Sequence, residues 1–246
     1  MATFDLPHLG EPYDAALRDA IEYLWTLPEP VIGIWLAGSV SRGEADANSD
    51  LDLYVLIDAA HRRRLSRFFH EVPTEIFLNP PHRARQYFEE DRRLGRRPGL
   101  DMMAHGLILF DPLGECATIQ VEAREVIELG PAVPAVELET RRYLVIDKLD
   151  NAADVLDRDP TAALMLAAQA VQEALVLWFL LQGEWAPRDK DLLAEIRSGV
   201  PEAGVLVDRF VAAGDVDAAR AAAELLIGVG RFYMWETPPD ECPPPE

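Results

Sequence analysis

Two aspartates and a glycine-serine pair are the residues of this chain whose types and spacing best suit chemistry. An apolar run ends at Gly38 and Ser39, and a second apolar run opens at Asp50 and Asp52. Side chains of a strand alternate between its faces, so Asp50 and Asp52 are expected to point the same way. Two carboxylates on one face are oxygen ligands of the kind that Mg²⁺ binds. Gly38 lets the backbone approach a ligand closely, and Ser39 offers a hydroxyl and an N–H to an anion.

The wider pattern around these residues is similar to the signature of the DNA polymerase β-like nucleotidyltransferase superfamily. It resembles most the small members, which are the aminoglycoside nucleotidyltransferases and the minimal nucleotidyltransferases. The residues that carry the resemblance are Gly38, Ser39, Arg42, Gly43, Ser49, Asp50, Leu51, Asp52 and Leu53. The resemblance implies that Asp50 and Asp52 bind Mg²⁺ and are catalytic. It also implies contacts to the nucleotide, with ATP as donor, from Gly38, Ser39, Arg42 and Ser49.

Two other interpretations of the same stretch are weaker. The spacing from Gly38 to Gly43 fits the start of a P-loop, but Glu44 and Ala45 stand where that motif needs Lys and then Ser or Thr. The stretch could also be a plain surface turn followed by a strand with two outward aspartates. Adjacent like charges on one face repel unless a cation lies between them, which favours the metal site.

A third carboxylate is expected on the following strand, because members of the superfamily place one there. Glu75 is the candidate, since the segment around it alternates correctly for a strand. The resemblance gives Glu75 the role of a metal ligand or of the base that takes the acceptor's proton, which needs a carboxylate near the attacking hydroxyl. Asp101, before the next predicted strand, is the alternative.

Basic residues are distributed unevenly. Lys148 and Lys190 are the two lysines among 23 basic residues, and a compact charge of this kind suits a phosphate oxygen. We therefore take both as candidate nucleotide contacts, with plain surface lysines as the alternative. Ten arginines and five acids lie between positions 61 and 97. This arginine patch is predicted to be a solvated helix face, or an intramolecular or dimer contact with the acidic helical bundle.

Composition limits the class of protein. A net charge of −20 argues against a general nucleic-acid binder, which would need a basic face. Cys116 and Cys242 lie far apart with no metal-binding spacing, and no secretion signal precedes them, so a cytoplasmic location is expected. Residues 161–181 have the length of a membrane span, but a polar stripe of Gln169, Gln172 and Glu173 predicts a buried helix instead.

The periodicity predicts an α/β (α+β) domain with a short mixed sheet over residues 1–130, and the resemblance implies that it is a nucleotidyltransferase domain. A helical bundle domain is expected over 137–236, and residues 237–246 form a proline-rich, flexible tail. Strands are predicted at 31–37, 51–57, 72–78 and 106–110. Helices are predicted at 13–27, 60–70, 82–94, 115–129, 137–157, 160–182, 187–198, 201–212 and 215–234.

The resulting hypothesis is Mg²⁺-dependent transfer of a nucleoside monophosphate, AMP from ATP, to a hydroxyl of an aminoglycoside-like small molecule. The partners are then a nucleoside triphosphate and that acceptor, with no nucleic acid and no membrane, and a homodimer is left open. Two alternatives remain. One is adenylylation of a protein partner, as in minimal nucleotidyltransferase antitoxins, and the other is a non-catalytic nucleotide-binding module.

Overall fold

The computed structural model of the protein describes residues 6–46 and 48–239. Cys242 and the last part of the predicted tail, residues 240–246, lie outside the described residues. The chain divides into two compact units. The first comprises the residues up to Asp91 together with Arg97–Leu129, and the second comprises Arg92–Arg96 and the residues from Gly130 onward.

The first unit is a mixed α/β structure. In chain order its elements are α1 (Tyr13–Leu24), β1 (Val31–Ala37), α2 (Gly38–Ser41), β2 (Leu51–Ile57), β3 (Arg63–Phe69), β4 (Val72–Asn79), α3 (Pro81–Leu94), α4 (Pro98–His105), β5 (Leu107–Phe110) and α5 (Glu115–Leu129). The last residues of α3 belong to the second unit. The fold class predicted from the sequence, a short mixed sheet followed by helices, is confirmed.

The five strands form one sheet in the order β3-β4-β2-β1-β5. Strands β2 and β4 are parallel, and the other neighbours are antiparallel. The register places Asp52 between Ala37 of β1 on one side and Glu75 of β4 on the other. Because side chains alternate, the neighbouring positions Leu53 and Ile76 face the opposite side of the sheet.

That opposite side is the apolar core of the first unit. Helix α1 buries an apolar stripe that includes Leu17 and Ile21, and the stripe packs against Leu51, Leu53 and Ile76 in one cluster. The remaining face near β1 is contacted by α4 and α5. The sheet is therefore covered on one side by α1. On the other side Asp52 and Glu75 are only partly buried, and the site described below lies there.

The predicted helix over residues 60–70 is wrong, because Arg63–Phe69 forms strand β3. The strand pairs with β4 along its whole length, and a tight turn through His70 and Glu71, both with positive φ, joins the two. Its arginines disguise the alternation, although Leu65 packs against the apolar core. An edge strand tolerates several charged side chains, and pairing with β4 overrides the local helical pattern.

Glu29 joins the loop before β1 to the start of β3. Its side chain is 5% exposed, and Oε1 accepts a hydrogen bond from Nη1 of Arg63 at 2.8 Å and lies 3.1 Å from Nε2 of His61. The hydrogen bond from Arg63 is the main cause that lowers the pKa of Glu29 to about 2. The ionised form is thus favoured in the folded protein.

We expect Glu29→Gln to lower the free energy of unfolding at pH 7 by about 1–2 kcal/mol, because the charged partner of Arg63 is lost. A depressed pKa stabilises the fold above the ordinary value of 4.5, and that contribution is lost as the pH falls towards about 2. The difference between variant and wild type should therefore shrink over this window. Urea unfolding, monitored by hydrogen exchange of the β1 amides, measures this difference in the free energy of unfolding at each pH. The exposed Glu22→Gln on α1 is the charge-matched control, and a pH-independent difference would contradict the assignment.

The second unit is helical. Its helices are α6 (Ala135–Val155), α7 (Pro160–Leu181), α8 (Asp189–Gly199), α9 (Pro201–Ala213) and α10 (Val216–Ile227). The predicted helices match these within a few residues, except that α10 ends well before residue 234. There Gly228 adopts a left-handed conformation, and its N–H caps the carbonyl of Glu224.

Helix α7 is the centre of this unit. It is long and apolar enough to cross a membrane by length and composition, with a mean hydropathy of 1.8, but half of that stretch is buried within the protein. Its buried residues, among them Ala170 and Leu177, belong to the core cluster of the second unit. On the more exposed side, Glu173 accepts a hydrogen bond from Arg141 of α6 at 2.6 Å. This burial is typical of a core helix.

Candidate active site

Three carboxylates converge on one face of the sheet. Asp52 lies on β2, Asp50 is two residues before it, and Glu75 lies directly opposite Asp52 on the parallel strand β4. One ligand oxygen from each residue lies within 4.8 Å of the other two. We call Asp50, Asp52 and Glu75 the carboxylate group.

The carboxylate group accumulates negative charge where water has only partial access. Burial is the main cause that raises the pKa of Asp52 to about 6, and the charges of Asp50 and Glu75 add to it. Such repulsion is relieved by a cation between the oxygens. Hard divalent cations prefer carboxylate oxygens, so the side chains present fit a metal of the Mg²⁺ type.

Gly38 lies against the carboxylate group. Its φ is +77°, which L side chains rarely adopt, and a Cβ at this position would lie 2.3 Å from Oδ2 of Asp52. The turn after β1 can pass this close only because no side chain intervenes. The role of Gly38 is thus steric, and the main chain of the turn lies next to the site.

A hydrogen-bond network holds the connection between α2 and β2. Oγ of Ser39 donates to Oγ of Ser49 at 3.1 Å, and Oγ of Ser49 accepts from the N–H of Asp46 at 2.9 Å. Tyr13 of α1 donates its hydroxyl to the carbonyls of Asp46 and Ser49 at 3.0 and 3.2 Å. The predicted nucleotide contacts Ser39 and Ser49 therefore contact each other beside the start of β2.

The basic candidates are placed differently from one another. Arg42 follows α2 and its Nε donates to Glu44 at 2.8 Å, while its charge acts to lower the pKa of Asp52 against the stronger effects that raise it. Lys148 lies on α6 and Lys190 on α8, both in the second unit. The alternative acid Asp101 lies on α4, where Arg97 and His105 are its ion-pair partners. It is outside the carboxylate group.

Arg64 is a residue of the site that the sequence did not indicate. Its Nη2 donates to Oε2 of Glu75 at 2.6 Å, and its guanidinium lies over the ring of Phe77 at 4.6 Å. The incorrect helix prediction for residues 60–70 hid it. Placing Leu65 and Phe69 on the core face of a strand would have put Arg64 on the face of Glu75.

Most of the arginine patch is engaged within the protein. Arg85 of α3, for example, pairs with Glu115 and Glu122 of α5 at 2.8 and 2.6 Å. Other contacts include those of Arg62 with the Tyr87 hydroxyl, Arg63 with Glu29, Arg64 with Glu75, Arg67 with the Tyr23 ring, Arg83 with Glu90, Arg92 with the Gly130 carbonyl, Arg93 with Glu137, Arg96 with Asp189 and Arg97 with Asp101. The patch is thus mainly a set of intramolecular ion pairs rather than an open basic surface.

A mixed sheet with carboxylates on adjacent strands beside a glycine turn forms a site that could hold a divalent cation against a phosphate group. Residues 16–99 match the protein family described as nucleotidyltransferase domain. Among solved structures, a nucleotidyltransferase-like protein from Exiguobacterium sibiricum is similar, with a TM-score of 0.52 and 13% identity over 88% of this chain and 74% of that chain. At this identity the likeness shows the fold. No curated protein matches the chain.

The family match covers the strands that carry Asp52 and Glu75, together with the Gly38 turn. Residues 16–99 therefore form a nucleotidyltransferase domain, which makes the protein a transferase. Its substrate is accordingly a nucleoside triphosphate.

Proposed function

We propose that the protein transfers AMP from ATP, with Mg²⁺, to a hydroxyl of a cationic small molecule of the aminoglycoside type. The observation that carries the transfer chemistry is the carboxylate group, with its oxygens within 4.8 Å of one another on a nucleotidyltransferase domain. In the reaction, the acceptor hydroxyl gives up its proton, for which Glu75 is the candidate base, and its oxygen bonds to the α-phosphorus. The bond from that phosphorus to the oxygen that bridges to the β-phosphorus breaks, and pyrophosphate leaves.

The residues of the site have distinct roles in this proposal. Asp50 and Asp52 would hold divalent cations, with Glu75 as a further ligand or as the base, and the cations would offset the charge of the triphosphate and make the acceptor hydroxyl more acidic. Gly38 brings the main chain close to the same place, and Ser39 offers its hydroxyl and N–H to phosphate oxygens. Positioning of the phosphates and compensation of their charge supply most of the rate enhancement.

Further phosphate contacts are proposed for basic and polar side chains. Arg42 is exposed and its present partner Glu44 is a surface residue, so the guanidinium is free to exchange that contact for a phosphate. Ser49 bonds to Ser39 and can hold its hydroxyl in place. Lys190 and Lys148 stay proposed contacts from the second unit, on the chemistry of a compact charge alone.

The acceptor is proposed from charge. Residues 137–246 contain 21 acidic and 10 basic side chains, an excess that favours a polycationic small molecule over an anionic one. A molecule of the aminoglycoside type also carries hydroxyls, one of which would be the nucleophile. A cytoplasmic location, where ATP is available, is part of the same proposal.

The experiment is pyrophosphate release with ATP, CTP, GTP or UTP, with and without Mg²⁺, across a panel of aminoglycosides. We expect Mg²⁺-dependent release with ATP that requires a cationic acceptor, and none from Asp50→Asn. A second arm supplies α-labelled ATP and cell lysate. Transfer of the label to a protein would mean that the acceptor is a protein rather than a small molecule. Mg²⁺-dependent ATP binding without pyrophosphate release in either arm would mean that the protein is a non-catalytic nucleotide-binding module.

A further inference from the structure

Arg64 and Glu75 are diagonal neighbours on one face of the β3–β4 hairpin. Strand β3 pairs antiparallel with β4, so that Arg64 lies opposite Phe77 and Ser66 lies opposite Glu75. The small Ser66 leaves space beside Glu75, and side chains two positions apart across neighbouring strands are within reach of a long residue. The backbone register thus directs the guanidinium of Arg64 towards the carboxylate group.

Two contacts hold the guanidinium there. Nη2 of Arg64 donates to Oε2 of Glu75 at 2.6 Å, the length of a charge-assisted hydrogen bond, and the guanidinium lies 4.6 Å from the centre of the Phe77 ring. The Phe77 ring in turn stacks on Tyr54, with centroids 6.5 Å apart, and Tyr54 is almost fully buried. The Arg64 guanidinium thus packs on the Phe77 ring, which is held in place by the buried ring of Tyr54.

The position of Glu75 needs such support. Glu75 lies directly opposite Asp52 in the parallel register, and like charges opposite each other on neighbouring strands are destabilising. Glu75 is on a longer and more flexible side chain than Asp52, so it could relieve the repulsion by turning away. The hydrogen bond from Arg64 opposes that movement.

We propose that Arg64 is a built-in counter-ion of the carboxylate group: it holds Glu75 beside Asp50 and Asp52 in the absence of metal, and an incoming divalent cation competes with it for Glu75. The inference rests on the proposed function in one respect, that these three carboxylates are the cation ligands. Arg64 is then a positioning residue, because it acts on the reaction through Glu75.

The exposure of the pair determines how strong the competition is. The side chains of Arg64 and Glu75 are 63% and 29% exposed, and ion pairs this open to water are weak. A divalent cation that contacts several oxygens therefore displaces the guanidinium. Arg64 lowers the affinity for the cation without abolishing it, and it keeps the empty site from being disrupted by its own charge.

The test is binding of Mn²⁺ alone to the full chain, with free Mn²⁺ measured by electron paramagnetic resonance at one pH. Mn²⁺ takes the same oxygen ligands as Mg²⁺. We expect Arg64→Met to tighten binding by about threefold to tenfold, since the guanidinium no longer competes with the cation for Oε2 of Glu75. Arg64→Lys should stay near wild type, and the gain should vanish when Glu75→Gln is added.

Arg67→Met is the matched control. Arg67 is on the same strand but on the opposite face, where its guanidinium lies 4.4 Å from the Tyr23 ring centre, so the change removes the same charge away from the site. Thermal unfolding supplies a second readout. Arg64→Met should lower the midpoint without cation, and saturating Mn²⁺ should close the gap. A residue needed only for folding would leave the gap at both conditions.

Unchanged or weaker Mn²⁺ binding by Arg64→Met, or an equal gain in Arg67→Met, would overturn the inference. Pyrophosphate release by the wild type separates this outcome from the fate of the proposed function. If the wild type releases pyrophosphate but Arg64→Met does not bind Mn²⁺ more tightly, only the counter-ion proposal is rejected. If Arg64→Met binds Mn²⁺ more tightly but the wild type releases no pyrophosphate, the counter-ion proposal stands and the proposed transfer reaction is rejected.

Discussion

Replacing Asp52 with Asn is expected to reduce nucleotidyl transfer by at least about 100-fold and to stabilise the metal-free protein. Transfer fails because a ligand oxygen with full charge is lost from the middle of the carboxylate group. Stability rises because burial and the charges of Asp50 and Glu75 oppose the ionised form of Asp52, as its pKa of about 6 shows. At 1.36 kcal/mol per pKa unit, the gain at pH 7 is about 1–3 kcal/mol.

The pH dependence of this gain has a definite sign. A raised pKa means that the folded protein binds the proton more tightly than the unfolded chain does. The contribution of Asp52 to stability is therefore fully present below about pH 4 and is lost as the pH rises through about 6. Wild type and Asp52→Asn should have equal stability at the acidic end and diverge above it.

Chemical unfolding of the metal-free proteins across this pH range, with pyrophosphate release at pH 7, checks both effects. Asp58→Asn is the control, because Asp58 is an exposed aspartate directly after the same strand. It removes the same charge and should change neither quantity appreciably. Retained transfer by Asp52→Asn, or a loss of stability above pH 6, would rule out the role given to the carboxylate group.

Gly38→Ala is expected to disrupt the site without removing any charged group. The new Cβ would lie 2.3 Å from Oδ2 of Asp52, so the carboxylate or the turn must move. A displacement of this size lowers transfer by about 100-fold, because the reacting groups lose their alignment. The positive φ of +77° adds a loss of stability of about 1–2 kcal/mol.

Gly43→Ala separates these two causes. Gly43 also has a positive φ, +71°, but a Cβ there meets nothing within 4 Å. It should show the conformational cost of alanine in the left-handed region with a much smaller loss of transfer. Unfolding and pyrophosphate release measured side by side distinguish the pair, and equal losses of transfer would mean that the collision with Asp52 is unimportant.

The parts of the fold and site that are local in the sequence could be predicted from it. Strands β1 and β2 are apolar runs bounded by glycine and aspartate, and the two-residue spacing of Asp50 and Asp52 determines their common face. Glu75 was identified because β4 also alternates clearly. Its position opposite Asp52 depends on the register between β2 and β4, which periodicity does not predict. The resemblance to nucleotidyltransferases predicted instead that Glu75 lies near Asp50 and Asp52.

The parts that depend on distant contacts were missed. Strand β3 carries arginines where alternation would be expected to show apolar residues, and it is a strand because β4 pairs with it. Arg64 could not be placed on the face of Glu75 until that pairing was known. Helix α4 also escaped prediction, since its short segment depends on Asp91 of α3, which accepts a hydrogen bond from the N–H of Leu100 at 3.0 Å.

The parallel pairing of β2 with β4 has a consequence for how the molecule assembles. Asp50 and Asp52 lie at the start of β2, whereas Glu75 lies on β4, which forms a hairpin with β3. A slip of one residue between β2 and β4 would turn Glu75 to the apolar face and leave the cation with two ligands. Metal bound to all three acids is linked to the correct register and stabilises it by mass action. Metal binding would thus favour the correct register between β2 and β4, the two strands that form the site.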